Sequence, residues 1–448
     1  MTGDDLEELL GQRAPGQWEL YRKSAETREI DASATFKRAA WRREEGWAAR
    51  WWEAGAPRFA AASDPEALAL AVPEAARIAV AAEAPPDWPS KSAALVGGTA
   101  VDAPPELFED LARAVAAASR GEAVLAGLRL RRGRAEERIV NAAGLDVTQE
   151  HWILDGVALC VARRPGRARE VRVPFRWDAE PEIETLARRL SDAATLPLSD
   201  RPAPFSNGQW LLDPAVGASL LGTLAPLFLD DRPPRWLVRE KMAGPVVGVA
   251  DDASRAAAFD GEGVATRRML LVENGTLVGR LHDLSSAKRA GGLSTGHGVR
   301  PSFRVPPRLG PRRLFFETKS PSPPAALLSA ITKGLFASAL TAPPRVDLAA
   351  DRYEIEFTGV SIVAGRAQGP VAGARAGPRV GTPAPHRRPL DGPAVLPVAV
   401  SRGVADGLHR KGELRVDAQQ KSSLPRGEGR VRGQFTRLHR NCSCRRRS

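Results

Sequence analysis

The side chains able to do metal or nucleophilic chemistry in this chain are few and scattered. Its six histidines, His151, His282, His297, His386, His409 and His439, pair nowhere at i, i+4 or i, i+5 spacing. No helix face can therefore present two imidazoles to one ion. Neither HExxH nor CxxC occurs. Cys442-Ser-Cys444 beside His439 has ligating residue types, but it stands in an Arg-rich stretch where chance is the simpler reading. A zinc centre built by this chain alone is not expected. Ser285-Ser-Ala-Lys288 matches the SxxK nucleophile motif, yet SDN is missing and Thr332-Lys333-Gly334 is not the KTG that should accompany it. No glycine-rich run has P-loop or dinucleotide-binding form.

Two stretches have more purposeful spacing. Phe259-Asp-Gly-Glu-Gly-Val-Ala-Thr-Arg-Arg268 sets Asp260 and Glu262 between glycines, and Leu293-Ser-Thr-Gly-His-Gly-Val-Arg300 carries His297 and Arg300 on a glycine-rich turn. Glycines in such patterns let backbone pass close to a neighbouring strand, a ligand or another subunit. On physical grounds alone the packing reading is favoured.

The elements around them divide the chain. Residues 1–195 alternate strand and helix patterns. Gln17–Asp31 is strand-like, and Gly46–Trp52 turns at Glu53-Ala54-Gly55 into a second strand near Arg58–Ala61. Asp64-Pro65-Glu66 opens a helix with a cap, a first-turn proline and an acidic first turn. Pro104–Arg120 and the stretch after Pro181 carry apolar residues at helical spacing. This predicts a mixed α/β N-terminal domain. Leu196–Gly208 is proline-rich and polar and reads as a linker. Residues 209–375 read as a β-rich domain, with a helix from Pro214 to Leu229, a hairpin around Asn274-Gly275, a second helix over Pro323–Leu340, and a strand through Tyr353, Ile355 and Phe357. The fold class is thus α+β. Residues 376–448 show no period and one aromatic, Phe435, so a disordered basic tail is expected.

Net charge is +12 and the pI about 10.3, which points to a nucleic-acid or anionic-membrane partner if the charge is spread over the fold. It is not. Residues 366–448 hold 18 of the 65 Lys+Arg and 5 of the 53 Asp+Glu, leaving 47 against 48 in residues 1–365. The body is neutral and the last fifth carries the basicity. Nucleic-acid binding is expected only if that tail is native. Three cysteines make no disulfide framework, the acidic start Met1–Leu10 has no apolar leader segment, and no run reaches 18 apolar residues. A cytoplasmic protein with no membrane partner is the expectation.

The series FDGEGVATRRMLLVENGTLVGRLHDLSSAKRAGGLSTGHG, Phe259–Gly298, resembles the core signature of the TldD/PmbA family, whose members are also described as gyrase modulators. QWELYRKSAETREID and EEGWAARWWEAGAPRFAAAS are similar to its first domain, and LLDPAVGASLLGTLAPLF and YEIEFTGVSIVAGRAQGPVAGARA to its second. The resemblance covers about residues 10–376. It implies an N-terminal α/β domain, a β-rich C-terminal domain and a heterodimer enclosing a proteolytic cavity for unfolded or modified peptides. TldD-like members carry HExxxH on the helix after the linker, where two histidines hold zinc and the glutamate activates water. Here Gly222 and Thr223 stand where His and Glu would be, and Leu227 where the second His would be. The chain therefore resembles the PmbA (TldE) side, which lacks its own zinc and pairs with a zinc-bearing TldD-like subunit. The resemblance makes it a non-catalytic subunit of a metallopeptidase complex, with Asp260, Glu262, His297 and Arg300 as candidate contacts to peptide or partner. The alternative is a homo-oligomeric peptide-binding or scaffold protein with no protease partner. Family members continue in ordered apolar strands where this chain turns Arg-, Pro- and Gly-rich. A reading-frame shift near Arg375 in a GC-rich gene accounts for that change, and a native nucleic-acid-binding tail is its rival.

Overall fold

The computed structural model describes residues 2–378 except Ala79, Pro105, Gly166 and residues 91–102, 178–179, 196–208, 231–242, 244–246, 319–321 and 348–351. The expected linker at 196–208 and all but the first residues of the expected tail, including His386, His409, His439, Cys442 and Cys444, lie outside the described residues.

The chain opens with an amphipathic helix that the sequence reading passed over, α1 (Gly3–Arg13). Thr2 and Asp5 form a reciprocal capping box, Asp4 and Asp5 sit in the first turn, Arg13 in the last, and Leu6 and Leu10 face inward. Then come β1 (Trp18–Ala32), β2 (Lys37–Glu53), β3 (Ala56–Ala62), α2 (Pro65–Ala76), α3 (Leu107–Ala118), β4 (Ala123–Asn141), β5 (Asp146–Arg164), β6 (Arg167–Arg176) and α4 (Ile183–Thr195). The six strands make one antiparallel sheet in the order β3-β2-β1-β4-β5-β6. Because side chains alternate between faces, the residues of one face can be followed across it. Leu20, Ala49, Trp51 and Val140 pack with α1 and α2, and Leu128, Leu130, Leu154 and Ala158 with α3 and α4. All four helices thus cover one face. On the opposite face Tyr21, Ala48 and Ile139 meet Phe259 and Phe303 from the C-terminal half.

The C-terminal half contains β7 (Gln209–Leu212), α5 (Pro214–Leu224), β8 (Gly248–Asp252), β9 (Arg268–Glu273), β10 (Thr276–Leu277), α6 (Leu284–Arg289), β11 (Gly298–Val299), β12 (Arg308–Leu309), β13 (Leu314–Glu317), α7 (Pro324–Ser329), β14 (Lys333–Leu340), β15 (Arg345–Asp347), β16 (Arg352–Val363) and β17 (Arg366–Pro378). One sheet runs β10-β9-β8-β13. Another runs β15-β16-β14-β7 with β17 also paired to β16, and β11 pairs with β12. Helix α5 is apolar nearly all round because it lies between the two larger sheets. Val216 and Leu220 join the core with Trp210, Leu335 and Phe357, while Leu221 joins Val249, Leu271 and Val272. Asn274 and Gly275 make the expected β9–β10 turn, both at positive φ.

The helix expected over Pro323–Leu340 is corrected. Only Pro324–Ser329 is helical, and Lys333–Leu340 is a strand, parallel to β7 on one side and antiparallel to β16 on the other. A short apolar run fits both periods, and the two waiting strands decide it. Strand β17 runs to Pro378, three residues past the expected domain boundary at 375. No helix among the described residues is long and apolar enough to cross a membrane.

Gly46 on β2 marks how closely the halves approach. A Cβ there would lie 2.4 Å from the Phe303 ring and 2.7 Å from the Ala62 carbonyl oxygen. Gly46→Ala should destabilise the chain by about 1–3 kcal/mol, the usual cost of overpacking. A lower urea midpoint at unchanged m-value is the expected result, and an unchanged midpoint would show that Phe303 yields freely.

Candidate functional site

The loop from Phe259 to Val264 meets the turn from Thr295 to Arg300 against the face of β1 and β2. Asp260 organises it. Its Oδ1 accepts the amides of Glu262 at 2.9 Å and Val264 at 3.0 Å, and its Oδ2 accepts the Gly298 amide at 2.7 Å. Gly298 must be glycine, since a Cβ would lie 2.7 Å from Glu262 Cγ. Every oxygen of Asp260 is thus spent inside the chain, and the residue is fully buried.

Glu262 and Arg300 join two charges that the sequence reading missed, Glu19 on β1 and Arg50 on β2, which face each other in register. Arg50 Nη1 donates to Glu262 Oε1 at 2.8 Å and Nη2 to Glu19 Oε2 at 3.1 Å. Arg300 donates through Nη2 to Glu19 Oε1 and through Nε to the Gly261 carbonyl at 3.0 Å. The Leu284 amide at the start of α6 donates to Glu262 Oε2 at 2.7 Å. Arg300 also lies over the Tyr21 ring at 4.3 Å, and the Arg50 guanidinium lies 5.6 Å from the Trp52 ring and 5.0 Å from the Trp88 ring. All four charged side chains are at most 8% exposed. Burial pulls the Arg50 pKa down, but Glu19 and Glu262 outweigh it and hold the guanidinium charged more firmly than usual. Burial pushes Glu262 up to about 7, with Arg50 opposing and Asp260 and Asp283 adding to the rise. Burial likewise raises Asp260.

His297 completes the cluster on the other side. Its Nε2 lies 3.1 Å from Asp251 Oδ1 and its Nδ1 2.9 Å from Thr295 Oγ1. A hydroxyl, an imidazole and a carboxylate in line have the composition of a nucleophile relay. Their surroundings remove that chemistry: His297 and Asp251 are fully buried, Thr295 is 3% exposed, and its hydroxyl also accepts the His282 amide and faces the His282 carbonyl. Asp251 in turn accepts the amides of Arg312 and Arg313. The four candidate contact residues Asp260, Glu262, His297 and Arg300 are therefore brought together, but inside the molecule. They join the C-terminal loops to one another and to the N-terminal sheet.

The positions matched to the zinc motif lie elsewhere, on α5 and its continuation. Helix α5 ends at Leu224, and Ala225–Phe228 tightens into a 3-10 turn with Pro226 in it. Gly222 is exposed, with nothing within 4 Å of where a Cβ would be. The Thr223 hydroxyl donates to the Ser219 carbonyl at 2.9 Å, and Leu227 is 6% exposed in the apolar core. Gly222 and Leu227 face opposite environments, and none of the three offers a ligand or a base, so these residues do not fit zinc. Among the described residues no cluster of three His, Cys, Asp or Glu side chains has metal-binding geometry.

Residues 209–377 match the family model described as the PmbA/TldA metallopeptidase C-terminal domain. An uncharacterized protein of Methanocaldococcus jannaschii is 28% identical over 196 residues, 41% of this chain and 46% of the relative, so the match spans about half of that protein. The fold is that of the crystal structure of TldE from Thermococcus kodakarensis, with a TM-score of 0.73 at 20% identity, covering 84% of this chain and 91% of that one. A proposed modulator of a DNA gyrase from Thermotoga maritima follows, with a TM-score of 0.68 at 15% identity over 83% of this chain and 90% of its own.

The raised Glu262 carboxyl has a consequence for stability. A folded-state pKa above the ordinary 4.5 means that the unfolded chain releases this proton at lower pH than the folded one. Glu262's own contribution to stability should then be greatest below that ordinary value and decline as pH rises toward about 7, levelling beyond. Glu262→Gln should flatten the decline and, by leaving Arg50 with one carboxylate fewer, lower stability at neutral pH by about 3–5 kcal/mol. Urea unfolding of both proteins across this pH range checks it, and identical slopes would contradict it.

Proposed function

We propose that this chain, whose residues 209–377 match the PmbA/TldA metallopeptidase C-terminal domain, is a TldD/PmbA-family member with the role of non-catalytic subunit in a metallopeptidase complex. In this reading it pairs with a TldD-like, zinc-bearing subunit and helps enclose a cavity that admits unfolded or modified peptides. The observation that carries it is α5. The helix is in place and packed on two sheets, but it holds Gly222, Thr223 and, past the break at Pro226, Leu227 where a metal motif would stand. All three positions serve packing or nothing at all. Zinc, and the water it activates, would be the partner's contribution. This chain's share would be shape and a fixed wall, which suits a body whose loops and sheet are locked by buried charge.

Co-expression with an HExxxH-bearing family member tests the proposal. The isolated chain should purify without stoichiometric zinc and without zinc-dependent peptidase activity, and the pair should have both. Replacing the first histidine of the partner's motif should abolish turnover, whereas Thr223→Ala here should change it less than about twofold, since a hydroxyl bonded to its own helix touches no reacting atom. Stoichiometric zinc with activity in the isolated chain would overturn the proposal. Peptide binding by a homo-oligomer that ignores the metal-bearing subunit would establish the alternative.

A further inference from the structure

Between α2 and α3 the chain runs as a strap, residues 80–90, with neither helix nor strand. Its sequence, Val80-Ala-Ala-Glu-Ala-Pro-Pro-Asp-Trp-Pro-Ser90, explains that. Three prolines remove backbone donors and keep themselves and the residues before them extended. Unable to bond to itself, the strap is held by other elements. The Glu83 amide donates to the Gly55 carbonyl at 3.0 Å, Trp52 Nε1 donates to the Glu83 carbonyl at 3.0 Å, and Asn141 Nδ2 donates to the Pro89 carbonyl at 2.8 Å. Asp87 pairs with Lys288 at 2.6 Å and Glu83 with Arg289 at 3.6 Å. The Trp88 ring meets Trp52 edge to face, with centroids 5.7 Å apart, and takes the Arg50 guanidinium at 5.0 Å. An extended peptide is gripped in this way, through its main chain, one aromatic side chain and its charges.

The grip is also slight. No residue of the strap belongs to an apolar core cluster among the described residues. Pro86 alone is buried. Asp87 is 83% exposed, so its ion pair contributes little. Trp88 Nε1 is buried with no acceptor among the described residues, a penalty that lasts as long as the strap is down. Such a segment opens at lower cost than the sheet beneath it. Opening it leaves Arg50 in place, because the bonds of Arg50 to Glu19 and Glu262 do not involve the strap. It uncovers Trp52 and the Trp88 side of Arg50, and it releases Lys288 and Arg289 from their acids. An aromatic wall with three cations remains.

We propose that residues 80–90 act as a built-in peptide, and that the groove beneath them binds an extended peptide carrying an acidic residue next to an aromatic one, in exchange for the strap. The proposal is independent of the metallopeptidase reading, since it needs neither zinc nor a second subunit.

Fluorescence anisotropy with a labelled, end-capped peptide of residues 82–90 tests it on the full chain. Asp87→Ala with Trp88→Ala loosens the strap without altering the groove. That variant should bind the peptide about tenfold tighter or more than the unaltered chain, whose own strap competes. Adding Lys288→Glu should weaken binding again, and a peptide in which the same Asp and Trp are replaced by Ala should not bind. Hydrogen exchange on the unaltered chain is a second arm that does not depend on how the variant folds. There the Glu83 amide should exchange through local opening while β1 and β4 stay protected. Equal affinity for the two chains, a folded but loosened chain that binds no peptide, equal binding of the alanine peptide, or a Glu83 amide as protected as β1 and β4 would each overturn it.

Discussion

Burying a charge is tolerable only when its partners are buried with it, and that condition joins the two halves of this chain. Glu19 and Arg50 come from neighbouring strands near the start, Glu262 and Arg300 from two loops more than two hundred residues later. None of the four is satisfied by its own segment. The loops therefore reach their geometry only when seated on the sheet, and the β1–β2 face is covered without unpaired charge only when the loops are present. Such a network adds little net stability over an apolar contact of the same size, but removing one member strands the others. Its effect is to permit one docking of loops on sheet and penalise the rest.

That seating orders the remainder of the C-terminal half. Asp260 pins Gly298, Glu262 caps the start of α6, and Asp251 ties His297 to the loop ahead of β13. Helix α5, between two sheets, is fixed by apolar contact instead. Its exposed positions, Pro214, Ala218, Ser219 and Gly222, carry no histidine, cysteine or carboxylate. The residues that look chemical hold the molecule together, and Gly222, Thr223 and Leu227 supply no metal-ligating side chain.

Much of this was legible in the sequence. The capped helix at Asp64, the Asn274-Gly275 turn and the strand through Tyr353, Ile355 and Phe357 all follow from local pattern. What escaped depends on partners distant in the chain. Lys333–Leu340 becomes a strand because β7 and β16 flank it. Helix α1 is the exception, since Thr2, Asp5, Leu6 and Leu10 spell its cap and its buried face locally. Glu19 and Arg50 could have been found only through the register of β1 on β2, which shows two charges on the covered side of an apolar hairpin. The roles of the glycine-flanked acids were open for the same reason: spacing shows close approach, not what approaches.

Native-state hydrogen exchange at the amides of Glu262, Val264, Leu284 and Gly298 tests the account most directly, because each of them donates to a buried carboxylate of Asp260 or Glu262. If buried charge locks loops and sheet into one body, these amides open only with global unfolding and share the protection of the central strands β1 and β4. Exchange through a low-energy local opening, with the sheet still protected, would show a loop free to expose Asp260 and Glu262 to a peptide and would contradict the account.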